Sequence, residues 1–453
     1  MRCCLRAVAA LLLVLLGACS SLRPWQNQPM QPDRAPAALS LPEASDRSLL
    51  LFVSLSGGGA RAAAFGYGVL EALQQTRVQW QGRSISLLDE LDVISGVSGG
   101  SIIAAYYAAF GAQTFPAFEQ HFLRQNFQHN LIANMLSPGN LYDLSSPWFG
   151  RTHLLERRLN QLFQGKTFGD LAERAGQPRL LVSATDLSLG SSFDFTWRQF
   201  SLICSDLSSV PLSFAVAASS AVPVALSPMT LKNHNDNCPR ADLKIKSTDA
   251  NDYRVRLLHL AQHSYRDAKA RPFIHLVDGG LADNLGLRSL LDRSRSDGSL
   301  RDSVRRMGSA QVAKMVIIVV NAERDPSERI DASDQVPGTL QVMDSLLFGA
   351  GARATQETLG MLSDTAQAWQ HELRSAQGQA GDPFEPDAQI HVVNVNLRDA
   401  PELMERNLLL QIPTAFSISD SDVSRLMQAG RRILLQSKEF NALIESLGGA
   451  LPR

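Results

Sequence analysis

The chain has 453 residues, 45% of them hydrophobic and 19% charged, with a formal net charge of −1. That composition belongs to a globular protein with enough length for a full core, in one large domain or two moderate ones. Near-zero net charge and the lack of any Lys/Arg run exclude a nucleic-acid partner recruited by electrostatics.

The N-terminus reads as an address. Arg2 and Arg6 precede an uncharged run, Ala7 to Leu16, which is too short for the ~20 residues that span a bilayer and fits a secretory signal. It closes on Leu16-Gly17-Ala18-Cys19, which resembles the lipobox of bacterial lipoproteins. The resemblance implies that residues 1–18 are removed and that Cys19 becomes the lipid-modified first residue. A simple secretory signal or an uncleaved anchor is the plainer reading. Ser20 is not acidic, which by resemblance to the sorting rule of Gram-negative envelopes implies the periplasmic face of the outer membrane. Residues 19–45, rich in Pro, Gln, Ala and Ser, show no helical or strand period and read as a flexible tether.

Leu49 to Ser56 is a continuous apolar run of the kind a strand buried on both faces requires. Gly57-Gly58-Gly59-Ala60-Arg61-Ala62 follows at once, then a small-residue helix from Ala63 to Leu73. A glycine-rich strand-to-helix turn presents backbone N–H groups to an anion. A phosphate fits poorly: the phosphate-loop Lys-Ser/Thr is missing, and no acidic residue stands at Val78 to Arg83, where a dinucleotide site needs one. The oxyanion of an acyl-transfer intermediate fits better, with each donor contributing roughly 3–4 kcal/mol. Arg61 either holds this loop or is a solvated first-turn side chain. Gly66 and Gly68 read as close-packing positions in the helix.

A second strand-to-helix turn follows. Leu91 to Ile94 leads into Ser95-Gly96-Val97-Ser98-Gly99-Gly100-Ser101 and then the apolar helix Ile102 to Ala109. The G-x-S-x-G spacing matches an elbow that strains its serine and lifts the hydroxyl clear of the sheet, making Ser98 the candidate nucleophile. Alone, the pattern is equally a structural turn.

Phe115 to Met135 and His153 to Phe163 have helical periodicity, and His121, His129 and His153 on them read as packing or surface residues. Leu180–Asp186 and Ser192–Thr196 read as a strand pair. Leu212 to Val222 is a small-residue helix ending before Pro223 that permits close approach, either in packing or as a wall of a cleft. Cys204 and Cys238 show no metal spacing, and export would permit a bridge between them. Asn233 to Asp267 reads as an irregular surface insertion. Phe273 to Val277 is a strand ending in Asp278-Gly279-Gly280, with Asp283 or Asn284 a fair N-cap for a helix through Leu291. In an open parallel sheet the residues just past strand C-termini gather at one edge, which would bring Gly57–Gly59, Ser98 and Asp278 together.

Four blocks, Gly57-Gly58-Gly59-Ala60-Arg61, Gly96-Val97-Ser98-Gly99-Gly100, Ala218-Ser219-Ser220-Ala221-Val222-Pro223 and Asp278-Gly279-Gly280, resemble in that order those of the patatin-like phospholipases, over roughly Leu50 to Leu290. The resemblance implies an α/β fold, three-layer α/β/α with a mainly parallel central sheet. It implies a Ser98–Asp278 dyad, with Gly57, Gly58, Gly59 and Arg61 forming the oxyanion loop. Ala62 departs from the family's usual glycine. His275 lies on the strand out of reach, whereas His234, His259 and His263 stay open as a third member.

The C-terminal third holds a strand at Lys314–Asn321, a long helical region at Thr339–Ala376 with an apolar face (Leu340, Met343, Leu346, Leu347), a strand at Gln389–Leu397 and a helix over Asp420–Leu447. These extend the same domain: residues 46–325 carry the catalytic part and residues 326–453 the packed extension. The expected activity is lipid acyl-ester hydrolysis at a membrane surface, with no metal or organic cofactor implied. The alternatives are an acyltransferase or thioesterase using the same dyad, and a non-catalytic lipid-binding lipoprotein.

Overall fold

The computed structural model describes residues 20–25, 27–31, 48–173, 176–238, 252–296, 298–308, 311–324, 331, 333–338, 341–342, 345, 350–375 and 381–451. The expected signal segment, Cys19, most of the expected tether and the expected apolar face of Leu340, Met343, Leu346 and Leu347 lie outside these residues.

In chain order the principal elements are β1 (Gln28–Pro29), β2 (Leu49–Leu55), α1 (Gly59–Gln75), the hairpin β3 (Arg77–Trp80) and β4 (Arg83–Ser86), β5 (Leu91–Val97), and α2 (Gly99–Phe110). Then come α3 (Phe127–Met135), α4 (Pro138–Asp143), β6 (Arg179–Asp186), β7 (Ser191–Asp194), β8 (Ser205–Asp206), α5 (Leu212–Ser219), β9 (Met229–Lys232), α6 (Tyr253–Tyr265) and β10 (Phe273–Val277). The chain closes with α7 (Arg288–Ser296), β11 (Val312–Asn321), α8 (Ala350–Ser375), β12 (Phe384–Asn396) and α9 (Asp420–Gln436).

One eight-stranded sheet runs β12-β11-β2-β5-β6-β10-β9, with β7 paired to β6. Its β12-β11-β2-β5-β6 portion is parallel, whereas β7, β10 and β9 pair antiparallel. The alternation of β2 explains the layers. Leu49, Leu51, Val53 and Leu55 join the core under α1, α2 and α9, while Leu50 and Phe52 join a second core with Leu291, Leu362 and Trp369 from α7 and α8. A strand whose successive side chains face two helical layers must be apolar throughout. The expected three-layer α/β/α arrangement is observed. The last third extends the same sheet through β11 and β12.

Helix α1 is clamped between layers at its glycines. A side chain on Gly68 would strike the Met427 backbone of α9, and one on Gly430 of α9 would strike the Phe65 carbonyl. Gly66 instead faces Leu55 and Ile103, so only one of the pair packs toward the sheet.

Several local expectations are corrected. The helix expected over Phe115–Met135 is broken: Thr114–Phe118, a π turn at Glu119–Leu123, then α3. Pro116 has no amide to give and holds Phe115 at φ −103°, ψ 116°. The expected irregular insertion contains α6, capped by the Asp252 carboxylate accepting from the Arg254 and Val255 amides at 2.9 and 3.3 Å. The C-terminal helix divides at Ser437, whose hydroxyl accepts from the Phe440 amide at 3.2 Å and starts a new helix, Lys438–Ser446. No helix begins at Asp283 or Asn284; α7 starts at Arg288, whose amide donates to the Asp283 carboxylate at 2.6 Å. Cys204 and Cys238 form a disulfide across 34 positions, with Cα atoms 6.1 Å apart.

The segment after Cys19, expected as flexible tether, lies against the domain where it is described. The Ser20 amide donates to the Ser145 hydroxyl at 2.9 Å, and the Ser146 hydroxyl donates to the Leu22 carbonyl at 2.7 Å. Trp25 stacks on Phe273 at 5.0 Å, Asn27 bridges Ser205 and Lys232, and β1 pairs with β8. The Asn27 side chain, which reads as solvated in the sequence, is spent on the Ser205 hydroxyl and the Lys232 backbone.

Candidate active site

Three strand-to-helix or strand-to-loop turns converge. Ser98 ends β5 and starts α2 at φ 49°, ψ −122°. That backbone conformation disfavours any side chain, and its cost falls in the range of about 1–3 kcal/mol. The glycine loop after β2 lies directly beside it. A side chain on Gly99 would strike the Gly59 carbonyl, so glycine at 99 is what lets the two turns touch. Gly59 itself sits at φ +61° with the Ala415 backbone pressed against it.

Asp278 reaches the same place by a different route from the one expected. Strand β10 is antiparallel to β6, with Leu276 opposite Asp186 and Val277 opposite Thr185. It enters at the C-terminal end of β6 and runs inward, so its own end arrives level with Val97, which pairs with Ser183. Shared strand polarity therefore explains Gly57–Gly59 and Ser98 but not Asp278, which is placed by register. Its backbone is held at both sides: the Asp278 amide donates to the Ala221 carbonyl at 3.0 Å, the Gly279 amide to the Ser219 carbonyl at 3.1 Å, and the Thr185 hydroxyl to the Asp278 carbonyl at 2.8 Å.

The Ser98 hydroxyl donates to Asp278 Oδ2 at 2.8 Å, and the Gly280 amide donates to the other carboxylate oxygen at 2.8 Å. Both side chains are buried, Ser98 at 7% and Asp278 at 8% exposure. Burial pushes the Asp278 carboxyl up to about 6, against the opposing pull of the Gly280 and Ser98 hydrogen bonds. A desolvated carboxylate at hydrogen-bond distance from a strained serine is an arrangement that accepts a proton from it.

The glycine loop is not uniform. The Gly57 amide is occupied, donating to the Asn284 carbonyl at 3.1 Å. This removes Gly57 from the expected donor set. The Gly58 and Gly59 amides donate to no acceptor among the described residues. Arg61 is 2% exposed; its Nε donates to the Ala322 carbonyl at 2.9 Å and its Nη1 to the Ile412 carbonyl at 2.7 Å. Of the two readings of Arg61, loop organisation is the one observed: it ties the β2 turn to the end of β11 and to the C-terminal extension. Burial, and next the nearby Arg324, push its guanidinium down to about 9, still charged at neutral pH.

The block Ala218–Pro223 contributes a residue that sequence reasoning left as a packing element. The Ser219 hydroxyl accepts from the Ser98 amide at 2.8 Å and donates to the Ser183 carbonyl at 2.6 Å. It fixes the elbow to β6 and so aims Ser98. Ser219→Ala is expected to lower kcat about 10- to 100-fold with little change in KM, because the cost falls on orientation; Ser219→Thr, which keeps the hydroxyl, tests the same point by partial rescue.

The cleft around the pair is lined by Gly57, Gly58, Arg61, Val222, Pro223, Leu281, Asn284, Glu323, Arg324 and Thr414, with Ser98 and Asp278 at its base. No histidine lines it among the described residues. His275 is exposed, pairs with Thr230 at 3.0 Å and does not line the cleft, as expected of its place on the strand. His234 faces the Asn27 carbonyl at 3.4 Å. Glu323 and Arg324 lie two and three residues past the end of β11, so the strand-end rule applied to β2 and β5 would have found them. Thr414 and Ala415 come from a loop that no motif marks. Among the described residues no group of three or more His, Cys, Asp or Glu is placed to hold a metal ion.

Residues 53–291, more than half of the chain, match the family model described as patatin-like phospholipase. The chain belongs to the patatin-like phospholipase family. The four blocks that carried the resemblance all fall within that span or at its edge, on the turns just described. No curated protein matches the chain in sequence. Solved structures similar to it include human GIVD cytosolic phospholipase A2, at 13% identity and TM-score 0.47, covering 89% of this chain and 63% of that one. VipD from Legionella pneumophila is similar at 11% identity and TM-score 0.32, covering 94% and 71%. The type III effector ExoU is similar at 16% identity and TM-score 0.24, covering 88% and 78%. The chain thus spans about three fifths of the length of the human enzyme.

Proposed function

We propose that this patatin-like protein is a serine lipid acyl hydrolase of the phospholipase A type. The observation that carries the reading is the 2.8 Å hydrogen bond from the strained Ser98 hydroxyl to the buried Asp278 carboxylate. Ser98 Oγ attacks the ester carbonyl while Asp278 takes its proton. The Gly58 and Gly59 amides receive the oxyanion of the tetrahedral intermediate, each contributing roughly 3 kcal/mol. The protonated Asp278 then gives its proton to the departing alcohol oxygen, leaving an acyl ester on Ser98. A water molecule, deprotonated by the same carboxylate, releases the fatty acid and restores the serine. Val222, Pro223 and Leu281 offer the acyl chain an apolar wall at the cleft. The test is incubation of the purified chain with phosphatidylethanolamine and phosphatidylglycerol vesicles. Equal release of free fatty acid and lysophospholipid is the expected result, and unchanged phospholipid rejects the reading.

We also infer that Cys19 carries the lipid anchor and that the protein is held at the periplasmic face of an outer membrane. The support is Cys19 placed directly after Gly17-Ala18 in the lipobox-like run. Among the described residues no helix is long and apolar enough to cross a membrane. Mass spectrometry of the N-terminal peptide is expected to find it beginning at Cys19 with added acyl mass. A peptide retaining residues 1–18, or beginning elsewhere without lipid, rejects the anchor.

A further inference from the structure

Residues 20–23 lie beside an apolar surface. Helices α3 and α4 and the turn between them carry Ile132, Leu136, Leu141 and Tyr142 at 52, 70, 52 and 53% exposure. Trp148 follows on the next turn with the Arg23 guanidinium 4.0 Å above its ring, and Leu22 lies beside them through the Ser146 bond to its carbonyl. Exposed apolar side chains gathered this way mark a surface that meets something apolar.

Two observations say what it meets. First, Ser20 is 6% exposed and its amide is bonded to Ser145, the residue that follows this turn. The described residues that lead back toward the proposed anchor are thus held at this surface through Ser20 and Leu22. Second, the surface continues to the mouth of the cleft. Arg151 donates to the Val224 carbonyl at 2.7 Å, and Thr152 donates to Ser227 at 3.3 Å. Val224 is 54% exposed and directly follows Val222 and Pro223, which line the cleft.

We propose that the surface formed by Leu22, Ile132, Leu136, Leu141, Tyr142 and Trp148 lies on the lipid bilayer. In this arrangement the anchor at Cys19 sets the orientation of the protein and turns the cleft mouth toward its substrate. Tyr142 and Trp148 take the interfacial level that such rings favour. Arg23 and Arg151, both exposed, sit beside the aromatic rim where anionic headgroups lie. The proposal rests on the lipid-hydrolase and anchor readings above and adds the face by which the enzyme engages its membrane.

The experiment uses the full chain reconstituted into phosphatidylethanolamine and phosphatidylglycerol vesicles with brominated acyl chains, which quench tryptophan. Wild type is expected to lose more fluorescence than Trp148→Phe, and Ser98→Ala to behave as wild type, so this measurement is independent of hydrolysis. In parallel, Leu136→Glu/Leu141→Glu is expected to lower vesicle hydrolysis relative to hydrolysis of a soluble butyrate ester by at least about tenfold. Leu260→Glu, at a leucine 65% exposed on α6, is the control and leaves that ratio unaltered. Equal quenching in wild type and Trp148→Phe, or the same ratio in the two glutamate variants, overturns the proposal. Quenching by Ser98→Ala alongside a wild type that cleaves neither ester leaves the surface standing and rejects the hydrolase reading.

Discussion

Replacing Ser98 by Ala is expected to lower ester hydrolysis by on the order of 10⁴-fold or more, since the group that forms the covalent bond is gone and the residual rate comes from binding alone. The protein should remain folded, because the hydroxyl's bond to Asp278 is one interaction in a site held by many backbone contacts. A companion variant separates chemistry from architecture. Ser98 stands at φ 49°, ψ −122°, a conformation glycine adopts freely and alanine does not. Ser98→Gly, equally inactive, is therefore expected to be more stable than Ser98→Ala by about 1–3 kcal/mol, as read by denaturant unfolding. Equal stability of the two would mean that the elbow stores no strain.

Asp278→Asn is expected to cost activity on a similar scale, about 10³-fold or more, because an amide cannot accept the serine proton. In the wild type the same requirement sets the pH profile. Only the ionised carboxylate works as base, and burial raises its titration to about 6. Hydrolysis should rise as pH increases through about 6 and then level. Stability moves the other way. Between the ordinary carboxylate range and about pH 6 the folded state binds the proton that the unfolded state has released, so Asp278 makes folding less favourable as pH rises through that window. Asp278→Asn removes the penalty, which is on the order of 3 kcal/mol for a shift of this size. It is thus expected to be inactive yet more stable than wild type at neutral pH. Asp283, also buried and raised to about 6 by burial, adds to the same trend in the wild type and is unaffected by the substitution.

Much of this was legible in the residues, and the exceptions have physical causes. The strands β2, β5 and β11 are written as largely apolar runs, the first two leading into glycine turns, because a strand buried on both faces leaves little room for another pattern. Ser98 was legible because an elbow needs small neighbours. Asp278 was legible as a residue, but its placement was attributed to a parallel strand, and pairing direction is not encoded in a five-residue apolar run. The Gly57 amide was misread as a free donor because its acceptor, the Asn284 carbonyl, is distant in sequence and is backbone, which no side-chain pattern reports. The same holds for Arg61, whose partners are the carbonyls of Ala322 and Ile412. Ser219 was hidden inside a run of small residues, where a hydroxyl that organises the site looks like any other small side chain. The docked residues 20–25 and 27–30 read as linker because their contacts are polar bonds, a two-residue strand pairing and two ring contacts rather than a periodic apolar face.

The account turns on Ser98 as a nucleophile activated by Asp278. Its most direct test is reaction of the purified chain with a serine-directed alkyl fluorophosphonate, followed by peptide mass spectrometry. The account predicts one phosphonyl adduct on the peptide containing Gly96 to Ser101, located at Ser98, formed more slowly below pH 6 and strongly diminished in Asp278→Asn. Labelling that persists in Ser98→Ala, or a wild type that reacts at no serine, would contradict it.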